Sequence, residues 1–316
     1  MRLSSGFDLD VVVPAYKAER TIERTVDSVL GQKGLRTRVI VVVDGVFDRT
    51  AERLRGYPPE QVQVLVEEVN GGASRARNRG LDQVGSEHVM FIDADDFVEG
   101  QFFEPLLARI RETGADMGFA PIQLLFEREN RRLPRFVPQW RHHAELFRDW
   151  HAHEHYVGTI GTMWRTAFVR AIGGWDPEIT RNDDGELVMR AVLMGGHFVL
   201  SCSGQGVYVI HSDESINHRA DNMASMLRAN RKLLRMESPV VAEAHKRRVC
   251  AEHFFNIACH AYRAGRDDIG DEAFAEARAL GVRVKGSLPH QLGFRLLGPR
   301  RLARWTPRLK QLLGRT

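Results

Sequence analysis

The chain has 316 residues, 43% of them hydrophobic and 27% charged, proportions that fit a folded protein with one α/β domain and an appendage rather than a disordered segment. Cys202, Cys250 and Cys259 are too few and too scattered for a disulfide framework and lack zinc-type spacing; with no apolar run of about 18 residues and no signal-like start, a cytoplasmic protein is expected, neither integral nor conventionally secreted. The net charge of +4 is unevenly spread: residues 285–316 hold eight Lys and Arg and no acid, leaving 37 basic against 41 acidic residues elsewhere, which argues against nucleic-acid binding by the main body.

Asp10-Val11-Val12-Val13-Pro14 has the pattern of a short buried strand, after which Ile22, Val26, Val29 and Leu30 recur at helical spacing. A second strand spans 39–43, followed by a helix from about Asp48, and a third strand spans 62–66. Gly72 to Leu81 opens another helix, and His88-Val89-Met90-Phe91-Ile92 is a strand ending at Asp93. This alternation predicts an α/β fold with a mainly parallel sheet covered on both faces. Ligands bind such sheets beyond the carboxyl ends of the strands, which brings Asp44 and the cluster Asp93-Ala94-Asp95-Asp96 to one crevice. Carboxylates there suit a hard cation such as Mg²⁺ or Mn²⁺, with positions left for substrate phosphates. The plainer alternative is an acidic turn capping a helix that starts near Phe102.

On these residues the chain resembles a family 2 glycosyltransferase of the GT-A fold over about residues 8–215. Val11-Val12-Val13-Pro14-Ala15-Tyr16-Lys17 is similar to the family's opening strand and nucleotide loop, which implies that Pro14, Ala15, Tyr16 and nearby Glu19 contact the donor. The segment from Val43 to Thr50 resembles the second nucleotide loop and assigns Asp44 to it. Asn70 to Gly80 is similar to the helix start beside the diphosphate, where Arg77 is the best match among Arg75, Arg77 and Arg79. Asp93-Ala94-Asp95-Asp96 matches the metal-binding DxD motif: the resemblance makes Asp95 the principal metal ligand, puts Asp93 in the metal shell or near the ribose, and sets Ala94 on the donor side.

Gly173-Gly174-Trp175-Asp176 and the run from Asp183 to Arg190 resemble the acceptor-side segment, in which an acidic pair precedes an Arg. An inverting transfer needs a carboxylate to take the acceptor proton as the hydroxyl attacks the anomeric carbon. The resemblance gives that role to Asp184, with Asp183 and Glu186 next in line, and turns Asp183 and Trp175 toward the acceptor. Alternatively, these acids only favour a helix N-terminus through its dipole. Tyr208-Val209-Ile210-His211 resembles a late family segment; His211 reads either as a metal or phosphate contact or as a strand-end histidine with an ordinary hydrogen bond. Two departures stand out: Val43 occupies the place of the first of two Asp residues, and Asp183-Asp184 replaces Glu-Asp.

The implied activity is metal-assisted transfer from a nucleotide-sugar, by default a UDP-sugar with GDP- or dTDP-sugars as alternatives, to a hydroxyl of an envelope or capsular glycan or glycolipid. A degenerate domain that binds a nucleotide or a partner without turnover is the competing reading.

The expected organisation is a glycosyltransferase domain over 1–217, a helical appendage over 218–287 and a basic tail over 288–316. Met223, Met226, Leu227, Leu233 and Leu234 form one apolar stripe, Phe254, Ile257 and Ala261 part of another, and Asp267 to Gly281 a further helix. In the tail, Leu302, Trp305, Leu309, Leu312 and Leu313 alternate with Arg and Lys around Pro299 and Pro307. Such a segment suits either the inner face of an anionic membrane or docking on the enzyme or a partner. His142, His143, His151, His153 and His155 lack a zinc-enzyme pattern and read as incidental, and Trp140, Trp150 and Trp164 suit either sugar stacking or burial.

Overall fold

The computed structural model describes residues 6–151, 157–211, 220–282, 298, 300 and 301. Its first half follows the apolar runs closely. β1 (Leu9–Ala15) leads to α1 (Ile22–Leu30), which buries Ile22, Val26 and Val29 as their spacing predicts. β2 (Thr37–Asp44) follows, then α2 (Thr50–Arg53), a single turn that starts two residues after Asp48. β3 (Val62–Glu67), α3 (Ala73–Leu81) and β4 (His88–Phe91) complete the alternation. Helix and sheet approach closely here: a side chain on Gly80 of α3 would run into Val12 of β1.

The chain then departs from simple alternation. β5 (Phe97–Glu99), α4 (Phe103–Thr113), β6 (Met117–Phe119), β7 (Ile122–Phe126) and β8 (Arg131–Arg132) are followed by α5 (His143–His151) and β9 (Thr162–Arg165). α6 (Thr166–Ala171), α7 (Asp183–Leu193), β10 (Phe198–Leu200) and β11 (Gln205–Ile210) come next, and α8 (Ala220–Arg235), α9 (Glu243–Arg263) and α10 (Asp267–Ala279) end the helical part.

The main sheet has seven strands in the order β10-β6-β9-β4-β1-β2-β3. β4, β1, β2 and β3 are parallel, β9 runs antiparallel between β4 and β6, and β10 is parallel to β6. A second sheet, β5-β11-β7-β8, pairs β11 in parallel with β7 and antiparallel with β5. The architecture is a mixed, mainly parallel sheet flanked by helices, with C-terminal helices added. Strand ends at β2, β4 and β11 place Asp44, the Asp93 turn and His211 around one region.

The C-terminal helices share the main core. Met223, Leu227, Phe254, Ile257 and Ala273 are buried in the same apolar cluster as β1 and β4, each large side chain contributing about 1.5–3 kcal/mol. Among the described residues no helix is long and apolar enough to cross a membrane. The tail's apolar residues from Leu302 onward lie outside the described residues, as do His153 and His155. Arg300 is described and pairs with Asp267 at 3.2 Å and Asp271 at 2.5 Å on α10.

Candidate active site

Two loops are tied together at the carboxyl ends of β1 and β2. Asp48 accepts from the backbone N–H of Glu19 at 3.0 Å and from the Thr50 hydroxyl at 2.6 Å, while that hydroxyl accepts from the Ala18 N–H at 3.0 Å. Glu19 in turn accepts from the Arg49 N–H at 3.1 Å. Pro14 is half-buried and Ala15 is buried, so this loop presents Lys17 and Tyr16, the latter 48% exposed and edge-on to Phe47, itself 55% exposed, at 5.4 Å. Exposed aromatics of this kind offer a stacking face. Asp44 is turned the other way: its two oxygens accept from the N–H groups of Gly71 and Gly72 at 2.7 and 2.9 Å. Gly72 takes φ +88°, open to glycine without cost, and leads the chain into α3.

The acidic turn after β4 divides its carboxylates among separate partners. Asp93 accepts from Arg77 at 2.5 Å and Asp95 faces His211 Nε2 at 3.0 Å. Asp96 is buried and takes the Val209 N–H at 2.8 Å, which ties β11 to the turn. Burial, reinforced by Asp95 and Asp93, pushes the Asp96 carboxyl well above its ordinary value. Asp95 is also raised, by burial and then by Asp93, against the pull of His211. Ala94 is buried and its carbonyl accepts from Thr25 at 3.0 Å. His211 continues outward: its Nδ1 meets Glu127 at 2.7 Å, and Glu127 pairs with Arg24 at 3.0 Å.

Arg77 joins the two acidic segments. Buried on α3, it donates to Asp93 and, at 2.6 Å, to Asp183 at the start of α7. Its guanidinium lies 4.3 Å from the centre of the Trp175 ring. The two carboxylates hold it firmly in the charged form despite its burial. Asn182 takes φ +57°, a left-handed conformation that Asn tolerates, and turns the chain so that Asp183 and Asp184 open α7. Asp184 accepts only from the Gly185 N–H, at 2.8 Å, among the described contacts. Burial first and Asp183 second raise its carboxyl to about 6, outweighing Arg77 and the helix N-terminus.

Several sequence expectations change here. Trp175 is 2% exposed, packed edge-on against Phe91 and covered by Arg77, so it supports the ion pair and has no face free for an acceptor. Arg77 spends its terminal nitrogens on carboxylates, where the sequence had set it beside a diphosphate. Glu186 is no reserve base: it is fully buried, bound through both oxygens by Arg190 at 2.8 Å and by Lys232 at 2.9 Å. Trp140, Trp150 and Trp164 are buried, which favours the packing reading. His142, His143 and His151 go to separate partners, namely Glu145, the Gly196 carbonyl and the Phe147 carbonyl.

A divalent cation fits the donors at the turn. Among the described residues no three Asp, Glu, His or Cys side chains form a ready cage. Asp95 and His211 nevertheless aim one carboxylate oxygen and one imidazole nitrogen at each other, with side chains 43% and 39% exposed. Such a pair can take an ion that keeps most positions for phosphate oxygens and water. Sequence reasoning missed Glu127, Arg24 and Asp96. The first two bear no motif, and Asp96 read as one acid of a run although burial sets it apart.

Comparison with known proteins agrees with this frame. The profile described as "Glycosyl transferase family 2" matches residues 10–170. The succinoglycan biosynthesis protein ExoO of Rhizobium meliloti is 26% identical over 242 residues, covering 72% of this chain and 68% of that one. With other curated glycosyltransferases the shared stretch is shorter, and the chain spans 16% of one from Streptococcus pneumoniae and 32% of one from Bacillus subtilis. In fold the chain is similar to S. aureus TarS 1-349 in complex with UDP-GlcNAc, with a TM-score of 0.70 and 20% identity over 97% of this chain and 92% of that one. The mannosyltransferase PcManGT from Pyrobaculum calidifontis, solved with GDP-Man and Mn²⁺, gives a TM-score of 0.60 and 16% identity over 98% and 88%. The chain belongs to glycosyl transferase family 2 and carries the GT-A fold.

Proposed function

We propose that the protein transfers a sugar from a nucleoside-diphosphate donor, by default a UDP-sugar, to a hydroxyl of a glycan or glycolipid acceptor with inversion at the anomeric carbon. The observation that carries this reading is Asp184, a carboxyl raised to about 6 at the start of α7. A general base works best when its pKa lies near the operating pH, and both neighbouring acids that could compete are held by Arg77 or Arg190. Asp184 takes the acceptor proton onto a carboxylate oxygen. Asp183, fixed by Arg77 and by the Ser74 hydroxyl at 3.2 Å, borders the acceptor side. Tyr16 and Phe47 supply a stacking face for the base, and the loop behind them is held by Asp48. Asp95 and His211 would hold Mn²⁺ or Mg²⁺, which when bound neutralises charge on the departing diphosphate. Support for the donor and metal classes comes from the family neighbours bound to UDP-GlcNAc or to GDP-Man with Mn²⁺.

Asp184→Asn tests the reading. Turnover is expected to fall by about 10²–10⁴-fold, while calorimetric affinity for the nucleoside diphosphate stays at the wild-type value. Transfer at a near wild-type rate places the base elsewhere. The basic tail from residue 288 extends the proposal to the inner face of an anionic membrane, an attraction that weakens as salt screens it. A chain ending at residue 287 should bind nucleotide normally yet no longer co-sediment with anionic vesicles at low ionic strength. Equal sedimentation of the two chains would assign the tail to docking, in line with the Arg300 contacts on α10.

A further inference from the structure

Four residues from four separate segments close a ring beside the acidic turn. Glu127 directly follows β7 and His211 directly follows β11. The parallel register pairs Phe126 with Ile210, and the Glu127 N–H donates to the Ile210 carbonyl at 3.1 Å, so the two side chains emerge next to each other. One Glu127 oxygen accepts from Arg24 at 3.0 Å and the other meets His211 Nδ1 at 2.7 Å. His211 Nε2 faces Asp95 at 3.0 Å, and Arg24 returns to the Asp95 backbone carbonyl at 2.8 Å. Arg24 is itself steadied over the Phe97 ring at 4.8 Å.

A neutral imidazole has one N–H and one lone pair, and the partner of one nitrogen decides the role of the other. Glu127 is a carboxylate with a guanidinium on its far oxygen, an arrangement that accepts a proton-bearing nitrogen and cannot donate to one. Asp95 is a carboxylate too, so Nε2 turns a lone pair toward it only when a cation lies between them, while the shorter contact, 2.7 Å against 3.0 Å, is on the Glu127 side. We propose that Glu127, held by Arg24, is a positioning residue that keeps His211 in the Nδ1–H tautomer and presents its Nε2 lone pair beside Asp95 to a divalent cation. This inference rests on the metal reading of Asp95 and His211 given above. It adds two residues from outside the acidic motif and assigns a direction to the histidine. Glu127 bonded to His211 does for the cation what a carboxylate behind a ligating histidine does generally: it fixes the ring and its tautomer.

The test uses the full chain with UDP and diamagnetic Mg²⁺ for the tautomer readout and with UDP and Mn²⁺ for the affinity readout. Long-range ¹H–¹⁵N spectra at pH 8, with the His211 signals identified by their loss in His211→Gln, should show the Nδ1–H tautomer in the wild type. Glu127→Ala should shift the ring toward the Nε2–H form and weaken Mn²⁺ binding in the presence of UDP by about 10–100-fold. Glu127→Gln, whose amide oxygen still accepts from Nδ1, should recover most of both. Because Glu127 and Arg24 are 42% and 36% exposed, these variants are expected to melt near the wild-type temperature. A wild-type His211 carrying its proton on Nε2, or a folded Glu127→Ala protein with unchanged tautomer and Mn²⁺ affinity, overturns the inference. Asp95→Asn separates this from failure of the metal reading: if that variant also binds Mn²⁺ normally, the cation is not at this turn at all.

Discussion

The acidic runs Asp93–Asp96 after β4 and Asp183–Glu186 at the start of α7 solve the same electrostatic problem in different ways. Each gives one carboxylate to Arg77, Asp93 in the first and Asp183 in the second. Each also buries one acid completely, Asp96 in the first and Glu186 in the second. The buried members differ. Among the described residues Asp96 has no cation on its carboxyl and one oxygen without a hydrogen-bond partner, and burial pushes its carboxyl upward. Glu186 remains paired, gripped by Arg190 and Lys232. A buried acid can therefore be made tolerable by a proton or by a counter-charge, and the two solutions respond oppositely to mutation.

The largest effect is expected at the paired acid. Glu186→Ala leaves Arg190 buried without its carboxylate, and the guanidinium also holds the Ile172 and Gly174 carbonyls that shape the loop before α7. Breaking a buried pair in this way costs about 3–5 kcal/mol, so chemical denaturation should show a lowered midpoint or an unfolded protein. Stability within 1 kcal/mol (about the median for any substitution) would mean that the pair is as weak as a surface one.

Arg77→Gln probes the residue shared by the two runs. Arg77 lowers the Asp184 carboxyl while Asp183 and Asp93 raise it. Removing the cation should therefore move Asp184 upward and carry the acidic limb of the pH–rate profile to higher pH. At a fixed pH below that limb, the rate should drop on the order of tenfold for every pH unit the limb moves. An unmoved limb in a folded variant would uncouple Arg77 from the base.

A smaller and purely thermodynamic effect separates Asp184 from the acids held by cations. Its folded value of about 6 lies above the unfolded value of 3.8, so between them the native state holds more protons. Stability contributed by this group is present below about pH 4 and falls as pH rises toward 6. Asp184→Asn removes that loss. The inactive variant should match the wild type near pH 4 and melt a few degrees higher at pH 7.5, about 2–4 °C for each kcal/mol recovered. Equal melting temperatures at both values would show that Asp184 is not desolvated.

These contrasts also mark what could be read from the residues in order. The strands around Val11, Val41 and Phe91 are apolar runs, and the loops at Tyr16, Asp44 and Asp93 are local, so the strand-and-loop order of the first half was legible. The reversal of β9, the pairing of β7 with β11 and hence the meeting of Glu127 with His211 depend on register between segments 84 residues apart, which leaves no periodic mark. Trp175 illustrates the other limit: its place in the segment suggested exposure to an acceptor, but packing under Arg77 decided otherwise.

The smallest effect is expected at Asp96, and it carries the comparison furthest. A protonated carboxyl and an amide have nearly the same shape, and the Asn oxygen can still accept from the Val209 N–H that Asp96 now holds at 2.8 Å. Asp96→Asn should change stability by less than about 1 kcal/mol at acidic pH. At neutral pH it should be neutral or stabilising, because it removes a group whose raised value favours the native state only while protonated. Turnover and Mn²⁺ affinity should stay near wild type, in contrast to Asp95→Asn one residue earlier. If Asp96→Asn instead abolished Mn²⁺ binding, Asp96 would be an ionised ligand rather than a buried anchor for β11. The acidic turn would then have to rotate from its present arrangement when the ion binds, and the Val209 N–H would need another acceptor.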